Sequence, residues 1–476
     1  MFAKIQRIHF VGIGGIGMSG IAEVLLNLGY KISGSDLKNS SVTQRLASFG
    51  ATIFEGHAEG NVAGAEVVVT SSAVAPENPE VVEAHKLHIP VIPRAEMLAE
   101  LMRLKYGIAV AGMHGKTTTT SMIAAVLAAG GLDPTVVVGG RVDALGSNAR
   151  IGNSEYLVAE ADESDRSFLK LSPVLSVVTN IDREHMDCYR NMRDVKKAFL
   201  DFMDRVPFYG VVVACNDDGP LRKLFPLVRR RTVTYGTRRG SDFHIKVGKS
   251  TFDSAEQRPT SHFHVTYAER DLGEFRLQVP GVHNILNATA AIAVGIGLDI
   301  KADDIRHALE NFRGVDRRFQ LRGKAVGVSV IDDYGHHPTE IRATLAAARQ
   351  CGFGKIHVIF QPHRYTRTRD LMDEFASAFK DADSLVVLDI YAASEPPIEG
   401  ITSQALVRQI SEQGKAAAYA SSFADGVAKV AAAAQPGDMI LTLGAGSVSQ
   451  LGPMILAKLQ ESEAASSAPQ AAVSTP

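Results

Sequence analysis

Short apolar runs alternate with helical patterns along most of this chain, and the alternation divides it into three blocks. In the first block, the run from Ile8 to Ile13 predicts a strand, and apolar positions at helical spacing over Met18–Leu28 predict a helix. A second strand is predicted over Val67–Thr70 and a helix over Ala95–Leu104. Strands that alternate with helices in this way favour an α/β fold with a mainly parallel sheet.

The second block begins on the same plan and then departs from it. Its strands are predicted over Gly107–Ala111, Tyr156–Glu160, Val174–Thr179 and Val211–Cys215, with a helix over Thr117–Ala129. Residues 242–279 instead alternate apolar and polar side chains between turn residues, which predicts antiparallel strands at a sheet edge. Helices are predicted over Asn284–Gly295 and near Asp303–Asn311.

The third block is a second complete doubly wound pattern. Its strands are predicted over Val328–Asp332, Ile356–Gln361, Leu385–Asp389 and Met439–Leu443. We therefore predict an α/β protein of three domains: a Rossmann-like domain over residues 1–105, a central domain over 106–320 and a C-terminal Rossmann-like domain over 321–460. Residues 461–476 are low in complexity and are predicted to form a disordered tail.

The composition narrows the class of protein that fits this pattern. Lys and Arg number 50 and Asp and Glu number 52, so the net charge of −2 argues against general binding to nucleic acid. The chain has no run of about 18 apolar residues, so no membrane span is expected, and its first residues lack the features of a secretory signal. Its 3 cysteines, which are far apart, predict neither a disulfide framework nor a zinc site. These features predict a soluble, cytoplasmic protein.

A first glycine-rich loop, Gly12-Ile13-Gly14-Gly15-Ile16-Gly17, follows the first predicted strand and opens a helix. Glycines at these positions allow a tight turn and let backbone N–H groups approach a diphosphate at the helix amino end. Asp36 ends the next predicted strand, where an acidic residue meets a ribose hydroxyl in dinucleotide-binding folds. The residues fit NAD and equally a UDP-sugar, and the alternative is a tight turn without a ligand.

A second loop, from Gly112 to Thr118, includes Met113, His114, Gly115, Lys116 and Thr117. It also lies between a strand and a helix, and its Gly-Lys-Thr is typical of P-loops. In such loops the lysine binds the β- and γ-phosphates and the hydroxyl binds Mg²⁺. The first glycine of the usual motif is replaced by Val110, so we expect a shorter or differently shaped loop. The pattern predicts a P-loop-type central domain that binds nucleotide phosphates.

Acidic residues follow the next two strands of the central block. Glu160 ends one strand and is followed by Asp162, Glu163 and Asp165, and a carboxylate there is a hard oxygen ligand for Mg²⁺. His185 lies among acids after the following strand, where it fits a second metal site or the orientation of a carboxylate. Taken singly, each of these segments also fits a helix cap or a solvated loop.

In combination and in this order, these motifs resemble the Mur ligases of peptidoglycan synthesis. The resemblance rests on the segments Gly12–Gly20, Gly112–Thr120, Glu160–Asp165, Thr179–Asp187, Gly281–Asn287, Asp332–Glu340 and Gln361–Arg369. It covers all three blocks and leaves out only the tail. The resemblance implies that the first domain binds a UDP-sugar rather than NAD, with Gly14, Gly15 and Gly17 at the diphosphate and Asp36 near the uridine.

The implied reaction is ATP-driven ligation of L-alanine to the carboxylate of UDP-N-acetylmuramate through an acyl phosphate. Such chemistry depends on positioning and charge neutralisation. The resemblance implies two Mg²⁺ ions, one held by Thr117 and Glu160 and a second by His185 with Glu160. Lys116 is implied at the β- and γ-phosphates.

The resemblance assigns further residues to ATP and to the reacting groups. Asn284 and Asn287 lie one helical turn apart, and their amides fit adenine. Asp332 is implied at the ATP ribose, His336 in the reaction zone and Arg318 near the transferred phosphate. For Arg318 a solvated charge between domains fits the sequence nearly as well.

Two arginines in the third block suit the carboxylate of a free amino acid. Arg364 and Arg367 are three positions apart, and a planar guanidinium binds a carboxylate through two hydrogen bonds. Tyr334 and His363 are predicted to line the same amino-acid site. The alternative is a basic helix start without a ligand.

Three rival functions remain open at the level of sequence. They are an NAD-dependent oxidoreductase, a non-catalytic nucleotide switch or motor, and a sister ligase that joins a whole peptide to the muramyl group. The sequence fixes neither the selectivity for alanine over serine or glycine nor the oligomeric state.

Overall fold

The computed structural model describes residues 5–71, 73–142, 147–253 and 258–467, which form three sheets flanked by helices. The chain forms two compact units. One contains the first sheet and most of the second and extends to Gly248, with His262–Leu277 and Asn284–Val315. The other comprises Lys249–Ser261, Gln278–His283 and the chain from Asp316 onwards. The predicted fold class, α/β with three mainly parallel sheets, is confirmed.

The first sheet has five parallel strands in the order β3-β2-β1-β4-β5. The strands are β1 (Arg7–Val11), β2 (Lys31–Asp36), β3 (Thr52–Glu55), β4 (Val67–Thr70) and β5 (Val91–Pro93). The helices are α1 (Ile16–Asn27), α2 (Ser41–Ser48), α3 (Pro79–Lys86) and α4 (Arg94–Arg103). Strand order reverses at β1, and ligands of such sheets bind outside the carboxyl ends of the strands at this point. The first glycine loop lies there.

The second sheet has ten strands in the order β15-β14-β13-β12-β11-β10-β6-β9-β7-β8. They are β6 (Tyr106–Ala111), β7 (Thr135–Val142), β8 (Ser147–Arg150), β9 (Tyr156–Glu160), β10 (Leu175–Val178), β11 (Val211–Cys215), β12 (Thr232–Gly236), β13 (Phe243–Asp253), β14 (Arg258–Tyr267) and β15 (Arg270–Leu277). The associated helices are α5 (Lys116–Ala129), α6 (Met192–Met203), α7 (Gly219–Arg222), α8 (Val282–Gly297) and α9 (Ala302–Glu310).

The pairing within this sheet positions the predicted nucleotide site. Strand β6 lies between β9 and β10 and runs parallel to both, so the carboxyl ends of all three meet at one edge. Strands β14 and β15 are neighbours joined by a two-residue turn, which makes them antiparallel at the sheet edge, as predicted. The pair β7 and β8 at the opposite edge is also antiparallel and was not predicted.

The third sheet has the order β16-β17-β21-β18-β19-β20, in which β16 alone is shown antiparallel to its neighbour. Its strands are β16 (Gln320–Ala325), β17 (Val328–Asp333), β18 (Ile356–Phe360), β19 (Ser384–Leu388), β20 (Ala418–Ala420) and β21 (Met439–Leu443). Its helices are α10 (Pro338–Gln350), α11 (Tyr365–Asp370), α12 (Met372–Ala376), α13 (Ser403–Glu412), α14 (Phe423–Ala433) and α15 (Leu451–Ser467).

Adjacent residues of the central strands in this sheet enter different hydrophobic layers. Ile331 and Phe360 pack in one layer with residues of α10, α12 and α13, whereas Val330 and Ile359 pack in the other with residues of α14 and α15. Because side chains alternate between the two faces of a strand, a sheet covered on both faces produces the continuous apolar runs that the sequence shows.

Helix α15 reaches Ser467 and so includes residues 461–467, where the sequence analysis predicts the start of a disordered tail. Residues 468–476 lie outside the described part of the chain. Among the described residues, no helix combines the length and the apolar character needed to cross a membrane.

Candidate active site

The first glycine loop is held by the acid at the end of β2. The Gly14 N–H donates to Asp36 Oδ2 at 2.8 Å, and the Gly15 N–H donates to the Gly12 carbonyl at 3.1 Å. Gly12 has a φ of 77°, which favours glycine. The N–H groups of Gly14 and Gly15, which the resemblance places at a diphosphate, are therefore engaged within the loop. The contacts of Gly14, Gly15 and Gly17 with a diphosphate stay predictions.

Arg94, which the sequence analysis did not select, lies against this loop. A Cβ atom on Gly17 would be 2.5 Å from Arg94 Nη1, so only glycine leaves room for the guanidinium. Arg94 Nη2 is 3.8 Å from Asp162 Oδ2. The guanidinium thus adds positive charge next to the amino end of α1, where the helix dipole already favours an anion.

Arg94 also lines a small, open cleft in this unit. Glu160 and Asp162 contribute acidic side chains to the cleft, and Leu98 and Phe168 contribute apolar ones. The cleft therefore joins the neighbourhood of the first glycine loop to the acids that follow β9. The one feature of the sequence that could have indicated Arg94 is its position directly after a proline, at the start of a predicted helix.

Replacement of Asp36 with alanine is expected to raise the KM for the UDP-sugar about tenfold, with a modest effect on ATP. The change removes the acceptor that holds the Gly14 N–H, a charge-assisted hydrogen bond of about 1.5 kcal/mol or more. Steady-state kinetics with each substrate varied will measure both KM values. Asp36→Asn keeps an acceptor for Gly14, so near-normal kinetics would assign Asp36 to the loop, and a loss equal to that of alanine would assign it to the ligand.

The second glycine loop connects β6 to α5 and needs glycine at two positions. Gly112 has a φ of 141° and Gly115 a φ of 82°. A Cβ atom on Gly112 would clash with Thr179 Oγ1, and one on Gly115 would lie 2.8 Å from Asn287 Oδ1. The first position of the usual P-loop motif, Val110, lies within β6, so the loop is short, as expected.

Lys116, the first residue of α5, points back over this loop. Its Nζ donates to the carbonyls of Gly112 at 2.8 Å and Met113 at 3.3 Å, and to Glu163 Oε1 at 2.7 Å. Burial lowers the pKa of Lys116, but the charges of Glu163 and Glu160 more than offset this and hold it above its ordinary value. The ammonium is therefore charged and close to the position where phosphates bind in such loops.

Thr117 and Glu160 meet at the edge formed by β6 and β9. Thr117 Oγ1 donates to Glu160 Oε2 at 3.0 Å. Hydroxyl and carboxylate oxygens are the ligands that Mg²⁺ prefers, so these two side chains fit the ion that the sequence predicts there.

His185 lies beside a different acid from the predicted one. Its Nε2 is 3.5 Å from Glu163 Oε1, and its backbone has a φ of 56°, a conformation that few residues other than glycine adopt. Glu163 is fully buried, and its carbonyl accepts a hydrogen bond from the Tyr189 hydroxyl at 2.7 Å. The predicted pairing of His185 with Glu160 stays a prediction, and Glu163 is the acid that the sequence analysis failed to select.

His114 is fixed by the segment that follows β10. Its N–H donates to Asn180 Oδ1 at 2.9 Å, and its carbonyl accepts from Asn180 Nδ2 at 2.9 Å. The imidazole Nε2 is 3.0 Å from Asp182 Oδ2. The segment Thr179-Asn180-Ile181-Asp182 therefore holds the phosphate loop in place through these contacts.

The two asparagines of α8 lie beside the loop as a buried pair. Asn287 Nδ2 donates to Asn284 Oδ1 at 3.3 Å, and Asn287 lies next to Gly115. Their proposed contact with adenine stays a prediction. The structure brings them to the nucleotide loop, which their sequence position alone does not require.

In the other unit, Asp332 is fully buried and engaged within the protein. Arg317 Nε donates to its Oδ2 at 3.0 Å, and Thr442 Oγ1 donates to its Oδ1 at 2.6 Å. The resemblance places Asp332 at the ATP ribose. That contact stays a prediction, because each carboxylate oxygen can accept a further hydrogen bond. The sequence analysis did not foresee the hydrogen bonds from Arg317 and Thr442.

Arg318 and His336 share Glu340 as a partner. Arg318 Nη1 donates to Glu340 Oε1 at 3.4 Å, and the His336 N–H donates to Glu340 Oε2 at 3.1 Å. The Arg318 guanidinium also lies 5.0 Å from the ring centroid of Tyr334. Glu340 therefore organises this group, although the sequence analysis quoted it only as part of a motif.

Three of the predicted amino-acid residues, His363, Arg364 and Arg367, lie at the start of α11, and the fourth, Tyr334, follows β17. Arg367 Nη1 donates to His363 Nδ1 at 3.1 Å and to the His363 carbonyl at 3.2 Å. Burial, with the nearby charges of His336 and Arg367, lowers the pKa of His363 to about 3, so the imidazole is neutral and can accept this hydrogen bond. The His363 ring stacks on Tyr391 with centroids 5.5 Å apart, and Tyr391 is a residue that the sequence did not indicate.

Three family models match consecutive parts of the chain. They are described as the Mur ligase family catalytic domain over residues 7–106, the Mur ligase middle domain over 110–295 and the Mur ligase glutamate ligase domain over 317–446. The chain therefore belongs to the Mur ligase family.

Relatives over the full length point to one member of that family. The chain is 71% identical to the UDP-N-acetylmuramate–L-alanine ligase of Koribacter versatilis, covering 98% of this chain and 100% of that protein. It is 65% identical to the protein of the same name from Acidobacterium capsulatum, covering 97% and 99%.

Solved structures agree with this assignment. The UDP-N-acetylmuramate–alanine ligase of Thermotoga maritima superposes with a TM-score of 0.77 at 31% identity, covering 96% of this chain and 99% of that one. A murein peptide ligase from Psychrobacter arcticus, at 22% identity and a TM-score of 0.66, shows the shared fold alone.

Proposed function

We propose that this protein joins L-alanine to the carboxylate of UDP-N-acetylmuramate in an ATP-dependent reaction of peptidoglycan precursor synthesis. The observation that carries the proposal is the cluster of Lys116, Thr117 and Glu160 at the meeting strand ends of β6 and β9. The names of the full-length relatives support the choice of the two other substrates. We also propose that the reaction takes place in the cytoplasm, as the sequence features predict.

The proposed reaction has two steps. A carboxylate oxygen of the muramyl group attacks the γ-phosphorus of ATP, which releases ADP and forms an acyl phosphate. The neutral amine of alanine then attacks the carbonyl carbon, and the carbon–oxygen bond to phosphate breaks as the amide forms. Lys116 supplies positive charge at the β- and γ-phosphates, where negative charge accumulates.

Two side-chain groups suit divalent cations in this proposal. Thr117 and Glu160 would hold one Mg²⁺, and His185 with Glu160 would hold a second. When bound, such ions neutralise the triphosphate and the muramyl carboxylate, which otherwise repel each other. Arg364 and Arg367 would bind the carboxylate of alanine, with His363 and Tyr334 at the same site.

Replacement of His185 with alanine is expected to lower kcat more than it raises the KM for ATP. A group that acts mainly while charge moves toward the acyl phosphate affects the transition state more than the bound substrate. A Mg²⁺ titration of the residual activity should need more metal than that of the unchanged protein. His307→Ala, at an exposed position on α9, is the matched control. The same Mg²⁺ dependence in both variants would make His185 a structural residue.

The proposed function is tested by measuring ADP release with UDP-N-acetylmuramate and a panel of L-alanine, L-serine, glycine and a free tripeptide. We expect release only with all substrates present and fastest with alanine. Preference for the tripeptide would indicate the sister ligase, and ATP hydrolysis without any amino acid would indicate a nucleotide switch. A fluorescence titration with NADH should detect no binding, since binding would favour an oxidoreductase.

A further inference from the structure

The ammonium of Lys116 already uses its full capacity for hydrogen bonds within the protein. An ammonium has three donors, and Lys116 Nζ has three acceptors: the carbonyls of Gly112 and Met113 and the carboxylate of Glu163. A phosphate can therefore bind this lysine only by replacing one of these acceptors. The two carbonyls belong to the loop itself and hold the ammonium at the phosphate position, which leaves Glu163 as the acceptor to be replaced.

Glu163 depends on Lys116 for the compensation of its charge. The side chain is fully buried, and its Oε2 accepts no hydrogen bond from the described residues. Its Oε1 has Lys116 at 2.7 Å and His185 at the longer distance of 3.5 Å. A buried carboxylate that loses its partner cation is strongly destabilised. Transfer of the lysine from Glu163 to a phosphate therefore costs free energy.

We propose that Glu163 competes with the nucleotide phosphates for Lys116 and thereby limits the affinity of the loop for ATP and ADP. This inference rests on the proposed function, because it assigns a role within the same nucleotide site. A nucleotide phosphate that binds Lys116 must replace Glu163 as a partner of the ammonium. After the reaction, Glu163 competes with ADP for the same ammonium. Glu163 is therefore a positioning residue that acts through Lys116 and favours release of ADP.

The proposed competition predicts that loss of the Glu163 charge raises nucleotide affinity, which the loss of a merely structural carboxylate would not do. Glu163→Gln keeps a side chain of the same shape that still accepts a hydrogen bond, but it removes the negative charge. The attraction between Lys116 and residue 163 is then weaker, and the nucleotide phosphates are repelled by one negative charge fewer. Nucleotide affinity should rise, whereas damage to a structural residue lowers it.

The test is isothermal titration with AMP-PNP, and separately with ADP, in EDTA so that divalent cations do not contribute. We expect Glu163→Gln to lower both Kd values about three- to tenfold. Glu80→Gln is the matched control, because Glu80 is an equally buried carboxylate that bonds to Ser35 and His9 in the first sheet. It should leave both Kd values unchanged. Unchanged or weaker binding by Glu163→Gln would overturn the proposal.

Thermal unfolding supplies a second measurement. Glu163→Gln should lower Tm more without nucleotide than with saturating AMP-PNP, because the Lys116–Glu163 pair is broken in the bound state anyway. An equal loss of Tm in both conditions would contradict the competition. If the glutamine variant does not fold, Glu163→Met removes the charge in a side chain of similar size, and AMP-PNP should again bind more tightly.

The experiments distinguish a failure of this inference from a failure of the proposed function. Tighter AMP-PNP binding by Glu163→Gln supports the competition even if the unchanged protein fails to ligate alanine. Normal ligation by the unchanged protein, together with unaltered nucleotide affinity in Glu163→Gln, rejects the competition alone.

Discussion

Replacement of Lys116 with methionine is expected to abolish ligation while leaving the affinity for the UDP-sugar near that of the unchanged protein. Methionine keeps the length of the aliphatic part of the lysine side chain and removes the ammonium that faces the phosphates. Loss of one preorganised charge at a transition state lowers kcat by about 10²–10³-fold, and loss of ATP affinity adds to this. ADP release and titration with UDP-N-acetylmuramate measure the two effects separately. The first glycine loop belongs to another sheet, so its ligand should bind normally.

The same substitution has a consequence for stability that the ion pair predicts. Lys116→Met leaves Glu163 buried without its cation, which destabilises a protein by about 3–5 kcal/mol. The double variant Lys116→Met with Glu163→Gln removes both charges and should recover most of the free energy of unfolding but none of the activity. Recovery of ligation in the double variant, or a fall in UDP-sugar affinity equal to that for ATP, would contradict the assignment of Lys116.

Replacement of Arg367 with alanine is expected to raise the KM for alanine by roughly 10- to 150-fold, with both nucleotide affinities near normal. Alanine offers a carboxylate, an amine and one methyl group. The amine must be free to attack, and the methyl group contributes only about 0.8 kcal/mol. The carboxylate is then the main point of attachment, and a guanidinium hydrogen bond to it contributes about 1.5–3 kcal/mol.

The contacts of Arg367 explain why we expect no other residue to bind the alanine carboxylate equally well at this position. Its Nη1 is held by two acceptors of His363, and the neutral state of that imidazole keeps the hydrogen bond intact through the physiological pH range. Arg367→Lys should recover only part of the affinity, because an ammonium lacks the planar pair of donors.

Arg369→Ala is the matched control for this prediction. Arg369 lies on the same helix, half exposed, and pairs with Asp370. Kinetics with alanine varied should separate the two variants. An equal effect of both substitutions would indicate damage to α11, and an unaltered KM in Arg367→Ala would move the carboxylate site to Arg364 or His363.

The sequence by itself determined the elements that carry the active-site loops. Strands Val67–Thr70, Tyr156–Glu160, Val211–Cys215 and Met439–Leu443 have the predicted bounds, and α5 begins one residue earlier than predicted. These elements are encoded locally, because a buried parallel strand needs a continuous apolar run and a phosphate loop needs glycines at fixed positions. The strands that the sequence analysis did not predict include β3, β5, β8, β16 and β20, which all lie at sheet edges, where a strand needs a less continuous apolar run. It also did not predict β7 and β12, which lie inside the second sheet.

Only the tertiary structure decided which partner each charged side chain has. The sequence pointed to Asp36 as a ligand residue, but the fold brings its carboxylate to the Gly14 N–H. It marked Glu160 and passed over Glu163, although Glu163 is the acid that meets Lys116. It placed Asp332 at the ATP ribose by resemblance, which stays a prediction, and it did not indicate that Arg317 and Thr442 donate to the two oxygens of Asp332. Hydrogen bonds and ion pairs between distant segments depend on which strands become neighbours, and the periodicity of one segment holds no information about that choice.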